Sequence, residues 1–510
     1  MKKKILALLL AMAMTMGMST VAFAADTEST ITIKDNADDQ TVHTYKVYQI
    51  FTGTVTKNDA GIPNGLTSIK WGAGVTGTIS FNNVNYDTTD NQDAAKLARA
   101  LENQANAKDF AKAIQSNLVS SPNYTATQSN KDANVEITVP TGYYFIADAD
   151  VTGEGSVSEY IVQLSGPVEV TAKSEVPSTI KKIKDINDSD ANGYTGWQDS
   201  ADYDIGDKIP YKFESTIPSN AKNYENAYQF IFHDDLSAGL TFDDESVVVT
   251  VGQVTLTKDT DYTITEANCA GENCTCDFYI TINDLRNYAG EKVVVEYEAT
   301  LNNNAVIGSA GNPNKMYLEF SNNPHGDGKG KTPEQTAIAF TYTVRVDKQD
   351  ENGDPLSGAM FKLEKFIKGT TNEDGTATTD AWTEIAIVET TPDTVFTFKG
   401  IDDGIYRLSE TGTPDGYNKI LDDYVIFKVE SAHDVNKGDS SAYVAPSVTI
   451  LTDLSGLSLA ENTVANTQTY SFGNDSNNDA IITTAIENQS GALLPSTGGI
   501  GTTLFYVIGG

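Results

Sequence analysis

Val344, Val346 and Lys348 alternate along one stretch of the chain, and Tyr406, Leu408 and Glu410 alternate along another. Alternate residues of a β-strand share a face, so each stretch aligns a charged side chain with apolar neighbours that turn inward. The middle of the chain repeats the pattern. Lys181 shares a face with Ile183, Lys182 with Ile180, and Asp234 with Phe230 and Phe232, while Asn314 and Asn322 both fall on the Met316, Leu318 and Phe320 face. A lysine withdrawn from water loses proton affinity and becomes a neutral amine able to attack; a buried carboxyl is pushed the other way and keeps its proton. Packing then supplies the orientation that lets an inert acyl group react.

These positions require strands, and strands dominate the sequence. Val135–Val139, Val247–Val251, Val293–Tyr297 and Tyr342–Val346 alternate, with Asn, Asp, Gly and Thr clusters between them. That spacing predicts a mainly β protein of antiparallel sandwiches. Helical periodicity is confined to Gln92–Ser116, where Ala94, Leu97, Ala98, Leu101, Phe110, Ala113 and Ile114 recur. The expected division is a leader over 1–24, a β-rich domain with this helical insert over 25–172, sandwiches over 173–340 and 341–489, and a tail over 490–510. Strands are expected around Thr30–Ile33 and Thr44–Phe51, with a closing strand near Tyr160–Leu164. Gly142-x-Tyr144-x-Ile146-x-Asp148 in the first domain parallels Gly404-x-Tyr406-x-Leu408-x-Glu410 in the third. Asp148 has no evident partner there, and Lys34 falls opposite the Ile31 and Ile33 face, so no cross-link is expected in that domain.

Lys2-Lys3-Lys4, an apolar run from Ile5 to Met14 and Ala22-Phe23-Ala24 form a secretory leader, with cleavage expected after Ala24. The work of the chain is therefore extracellular. Its formal net charge is −35, more negative still without the leader lysines, which excludes nucleic acid and anionic membranes as partners. The three cysteines, Cys269, Cys274 and Cys276, lack the spacing of a zinc site and suggest a local clip, Cys269 to Cys276, with one thiol left over. Histidines at 43, 233, 325 and 433 are scattered, so neither a metal nor a cofactor is expected.

Ile405-Tyr406-Arg407-Leu408-Ser409-Glu410-Thr411 resembles the Tyr-x-Leu-x-Glu-Thr box of Cna-B-type domains. Val344-x-Val346-x-Lys348 with Asp350-x-x-Gly353-x-x-Leu356-x-Gly358-Ala359-x-Phe361 resembles the opening of such a domain, and Ile482–Asn488 its closing strand. The resemblance implies immunoglobulin-like Cna-type sandwiches and a spontaneous intramolecular isopeptide bond, with Lys348 as nucleophile, Asn488 as electrophile and Glu410 as the proton-handling acid. Ile180–Ile183, Asp204-x-Gly206-Asp207-Lys208-Ile209-x-Tyr211 and Phe230-x-Phe232-x-Asp234-x-Leu236 resemble the middle domain of Gram-positive shaft pilins. That likeness implies a second bond from Lys181 to Asn314 with Asp234 as the acid. Lys182 and Asn322 remain rivals. Asn314 is preferred if the first and last strands of the domain run parallel, which the resemblance implies.

Leu494-Pro495-Ser496-Thr497-Gly498 resembles a sorting signal for sortase, the transpeptidase of Gram-positive surfaces, which implies transfer of the Thr497 carbonyl to an amine. Pro495 keeps the peptide extended for an enzyme cleft. The apolar run after Gly498 stops short of the ~20 residues of a membrane span, so the chain is expected to continue. The acceptor implied by the family is Lys173, in Val168-x-Val170-Thr171-Ala172-Lys173, where Thr-Ala replaces the family's Tyr-Pro, with Lys181, Lys182 and Lys184 as nearby competitors. The whole resembles a shaft pilin, anchored to the cell wall and without enzymatic turnover of its own. Its implied partners are a pilus-specific sortase, copies of itself, minor pilins, peptidoglycan through a housekeeping sortase, and a host receptor. The alternative is a wall-anchored monomeric adhesin. A glycan hydrolase lacks a pair of acids in a recognisable cleft.

Overall fold

The computed structural model describes residues 28–35, 42–101, 107–149, 158–171, 175–190, 196–266, 276–324, 326–369, 378–389, 393–419, 424–452, 454, 470–477 and 480–491. The leader, Lys173, Cys269, Cys274 and the segment Leu494–Gly498 lie outside them. Among the described residues no helix is long and apolar enough to cross a membrane.

Alternating burial builds three pairs of sheets. In the first, Glu28–Lys34 lies between Val168–Thr171, parallel to it, and Val135–Pro140, antiparallel. Pro63–Trp71, Thr44–Lys57, Gly142–Asp148 and Glu159–Leu164 pair in that order to form the facing sheet, with Tyr124–Thr127 also on Thr44–Lys57. Ile31, Ile33, Val47, Val139, Tyr144 and Ile146 fill the space between. The helical insert is two helices, Asn91–Ala100 and Ala107–Gln115. Their apolar faces, with Leu97, Phe110 and Ile114, join a separate core with Phe51, Ile79 and Phe145. Asp148 does have a partner, which sequence reasoning missed: its Oδ2 lies 2.6 Å from His43 Nδ1 in the interior. Lys34 is exposed and pairs with Glu169.

In the middle sandwich one sheet runs Thr179–Ile183, Lys208–Thr216, Lys292–Leu301, Leu240–Val251, Val254–Thr255. The other runs Ser200–Asp202, Gln335–Phe340, Asn312–Ser321, Phe230–Leu236, Phe278–Ile282, Tyr262–Glu266, with Lys329–Lys331 on Asn312–Ser321. The parallel pair here is Ser200–Asp202 with Ile338–Phe340. Lys181 lies instead on Thr179–Ile183, whose partner Lys208–Thr216 is antiparallel. The premise of parallel first and last strands therefore fails for the lysine-bearing strand. Asn314 faces Lys181 across the sandwich, from the opposite sheet.

The third sandwich does pair its ends in parallel: Tyr342–Asp350 with Ile481–Ser490, flanked by Val395–Ile401 and Tyr417–Lys419. Ala381–Glu389, Met360–Ile367, Gly404–Gly412, Val425–Glu430 and Ser447–Ile450 form its second sheet. Between the last two sandwiches there is no linker. The strand Gln335–Phe340 closes the middle sheet and, across Thr341, becomes Tyr342–Asp350, while Ile338 and Phe340 pack in the core of the third.

The two bodies are stitched around this crossing. Asp199 donates its N–H to the Val435 carbonyl, and Ile205 donates to that of Gly400. Lys365, fully buried, reaches Asp402 at 2.6 Å, Asp204 at 2.7 Å and Asp188 at 3.3 Å. Burial alone would strip its proton, but these carboxylates outweigh that and hold it charged. Gly400 sits at φ +77°, and a Cβ there would lie 2.3 Å from Ile205 Cδ1. Gly400→Ala combines left-handed strain with a blocked contact, so denaturant unfolding should show a loss of at least about 1–2 kcal/mol; an unchanged midpoint would mean that Ile205 does not seat against this turn.

Candidate functional site

Lys181, Asp234 and Asn314 meet in the middle core. All three are at most 1% exposed. Lys181 Nζ donates to Asp234 Oδ2 at 2.5 Å and to the Tyr297 hydroxyl at 3.1 Å. Its ammonium lies 4.6 Å from the centre of the Phe213 ring and 5.2 Å from that of Tyr211. Tyr297 donates its O–H to Asp234 Oδ2 at 3.2 Å and accepts from Asn314 Nδ2 at 2.7 Å. Asp234 Oδ1 and Asn314 Oδ1 are buried and accept no hydrogen bond. Burial lowers the Lys181 amine to about 8, against the opposing pull of Asp234. Burial likewise raises the Asp234 carboxyl to about 6, opposed by Lys181.

Local pairing explains the placement. In Thr179–Ile183 the exposed residue is Ile180, and Lys181 and Ile183 point inward. Lys182 points out and pairs with Asp199 at 2.6 Å. Asp234 sits opposite Met316 and Phe278 on the central strand of its sheet, and Asn314 opposite Leu236 and Ala337. Asn322 is also buried, at the Gly328 turn, where its N–H bonds the Gly328 carbonyl.

Tyr297 was missed as a functional residue. The signal was present: Val293, Val295 and Tyr297 alternate, and an inward tyrosine must find a partner for its hydroxyl.

The third core holds Lys348, Glu410 and Asn488, none more than 2% exposed. Lys348 Nζ donates to the Ile486 carbonyl at 3.0 Å and that of Gln349 at 3.2 Å. Lys348 faces Ile486 in the parallel register and Asp350 faces Asn488, so Asn488 lies one same-face position beyond the lysine's cross-strand neighbour. Asn488 Nδ2 donates to Glu410 Oε1 at 2.8 Å. Burial lowers Lys348 to about 8, and burial raises Glu410. Glu410 Oε2 and Asn488 Oδ1 are buried and accept no hydrogen bond.

Cys276 is disulfide-bonded, and its partner lies outside the described residues. The histidines are not all isolated: His433 comes against Asp185 and Asp202, far from it in sequence.

Comparison with known proteins gives this arrangement a context. Residues 205–324 match the family model described as Gram-positive pilin backbone subunit 2, Cna-B-like domain. The middle of this chain is similar to that pilin-backbone domain. Residues 342–440 match a prealbumin-like fold domain. The trypsin-resistant surface T6 protein of Streptococcus pyogenes serotype M6 is 27% identical over 443 residues, 76% of this chain and 78% of that protein. The solved T6 backbone pilin, a modular three-domain structure, superposes with TM-score 0.53 at 17% identity, covering 92% of this chain and 100% of that one. The major pilin SpaD of Corynebacterium diphtheriae gives TM-score 0.50 at 16% identity, over 92% and 99%. The two structural likenesses establish a shared fold.

Tyr297→Phe removes the hydroxyl that touches all three groups of the middle core. A buried network left with unpaired members should lose about 1–3 kcal/mol in denaturant melts, whereas an equal stability would mean that the hydroxyl contributes nothing to holding the three together.

Proposed function

We propose that the chain is a shaft subunit of a sortase-assembled pilus, joined to the next copy through Thr497 and Lys173 and internally locked by two Lys–Asn isopeptide bonds. The observation that carries the reading is the fully buried Lys181, Asp234, Tyr297, Asn314 network inside the domain similar to a pilin backbone. A hydrophobic interior gains nothing in stability from an amine, a carboxyl and a carboxamide, but it gains a reaction.

In each core the neutral lysine amine attacks the asparagine carboxamide carbon. A new C–N bond forms, the old one breaks, and the amine's proton leaves with the amide nitrogen as ammonia. The acid returns that proton to the leaving nitrogen. In the third core Glu410 lies directly at the Asn488 nitrogen, 2.8 Å away. In the middle core the route from Asp234 to the Asn314 nitrogen passes through the Tyr297 hydroxyl, by steps of 3.2 and 2.7 Å. The reaction occurs once per bond, without turnover, so the protein is the product of its own chemistry and the substrate of sortase.

By analogy with a disulfide closing a loop of more than one hundred residues, each bond opposes unfolding by about 5 kcal/mol. In the third sandwich it also ties the first strand to the last. Tension entering at one end and leaving at the other then bypasses the hydrogen-bonded ladder. The extracellular location and the acidic surface suit an exposed polymer.

The intact mass of the reduced, denatured mature chain should fall short by two ammonias, with Lys181→Ala and Lys348→Ala each restoring one. The full calculated mass would remove the cross-links from the reading. In refolded, unreacted chain the third-core bond should form faster as pH rises through about 8, because the amine of Lys348 is neutral only above that value; a rate flat from pH 6 to 9 would remove the lysine as attacking group. Cells expressing Lys173→Ala should lose the ladder of high-mass polymers and keep the monomer. A persisting ladder would move the acceptor elsewhere and, if the parent forms none, favour a monomeric surface protein.

A further inference from the structure

Where the middle and third sandwiches meet, two carboxylates and an imidazole converge. Asp185 follows the strand Thr179–Ile183, Asp202 ends the strand Ser200–Asp202, and His433 follows the strand Val425–Glu430 of the other body. His433 Nε2 is 3.2 Å from Asp185 Oδ2 and 3.5 Å from Asp202 Oδ1, and the ligand atoms of all three residues lie within 4.8 Å of one another. Asp202 is wholly buried.

Hydrogen bonding fixes which imidazole nitrogen is available. The Ser200 hydroxyl donates to the Asp434 carbonyl at 3.0 Å, so it accepts from His433 Nδ1–H at 2.7 Å. Nε2 faces the two carboxylates, hydrogen-bonded to Asp185 Oδ2, and is the nitrogen at which a metal ion would replace a proton. Those carboxylates are themselves oriented. The Gln198 amide reaches Asp185 Oδ2 at 3.3 Å, and the Asp403 N–H donates to Asp202 Oδ2 at 2.7 Å. The other oxygen, Asp202 Oδ1, accepts no hydrogen bond although it is buried and faces Nε2. A bound imidazole whose second nitrogen is hydrogen-bonded, with ligating carboxylates held in turn, is the outer arrangement of protein metal sites.

The spacing supports the same occupant. Ligands at 2.0–2.1 Å around a tetrahedral ion lie about 3.3 Å apart, and the two observed separations, 3.2 and 3.5 Å, bracket that edge. We propose that Asp185, Asp202 and His433 bind one divalent transition-metal ion, with Zn2+ as the fitting member, and that it clamps the middle sandwich to the third. One imidazole with two carboxylates suits such an ion, whereas Ca2+ takes oxygen ligands alone. A fourth position remains for water.

The experiment uses the untagged mature chain, thiols alkylated and freed of metal by chelator, titrated calorimetrically with Zn2+ and separately with Ca2+. Expected are one equivalent of Zn2+ bound, a raised melting temperature, and at least about tenfold weaker binding in both His433→Gln and Asp185→Asn. Those two variants keep the side-chain size, and the retained ammonia deficit of each would report that its cores still fold. Absence of stoichiometric Zn2+ binding overturns the site, as does binding unaffected by both substitutions, or Ca2+ binding without Zn2+ binding.

Discussion

Taking an amine out of water is the constraint on which the middle and third sandwiches turn. An isolated buried ammonium is intolerable at a cost of several kcal/mol, so a strand that carries a lysine inward must bring a carboxyl to meet it or give up the proton. Both happen in these cores. Lys181 and Asp234 move toward each other in proton affinity, to about 8 and about 6, because the interior penalises each charge more than the pair rewards it. Burial thus narrows the gap between the two, which favours the neutral amine near a carboxamide. The junction lysine follows the opposite course: with three aspartates around it, Lys365 stays charged. Two lysines at equal depth thus serve different ends, and the number of facing carboxylates decides which.

The sequence exposed the inward lysines because period-two alternation is strict in strands that bury one face. That periodicity set Asp234 and Glu410 on apolar faces, as it did the mainly β architecture, with the helical stretch read from its own spacing, while Lys348 needed the Tyr-x-Leu-x-Glu-Thr box and Asn488 beside it to be read as inward. Local alternation left Lys181 and Lys182 equivalent, since both Ile180 and Ile183 are apolar; the fold separates them by exposing Ile180. The side of the sandwich from which Asn314 approaches was also illegible. Pairing between distant strands sets it, and the antiparallel seat of Thr179–Ile183 on Lys208–Thr216 replaces the parallel one expected.

What stayed hidden shares a cause. Tyr297, His43 and His433 act through partners dozens to hundreds of residues away, and each lies in a stretch that reads as ordinary strand or loop. Asp204 and Asp207 read only as part of the middle-domain motif, and Asp185, Asp188 and Asp202 carried no assigned role. Folding turns several of them to the seam, where Lys365 and His433 of the third body meet them. An acidic composition thus conceals a structural joint.

The two reactive cores differ in a way that follows from which sheets supply their members. In the third sandwich the lysine and asparagine strands are parallel neighbours in one sheet, so the acid reaches over from the facing sheet and contacts the carboxamide nitrogen itself. In the middle sandwich the lysine lies in one sheet and both the aspartate and asparagine lie in the other, two residues of adjacent strands. The acid there accepts from the amine, and the carboxamide belongs to Asn314, whose cross-strand partner Leu236 is two residues beyond Asp234. Filling that gap requires a side chain from the lysine's own sheet, long enough to span the core and polar only at its tip. Tyrosine combines a rigid apolar body with such a tip, and at position 297, beside Tyr211 on the central strand, its hydroxyl lies within 3.2 Å of all three groups.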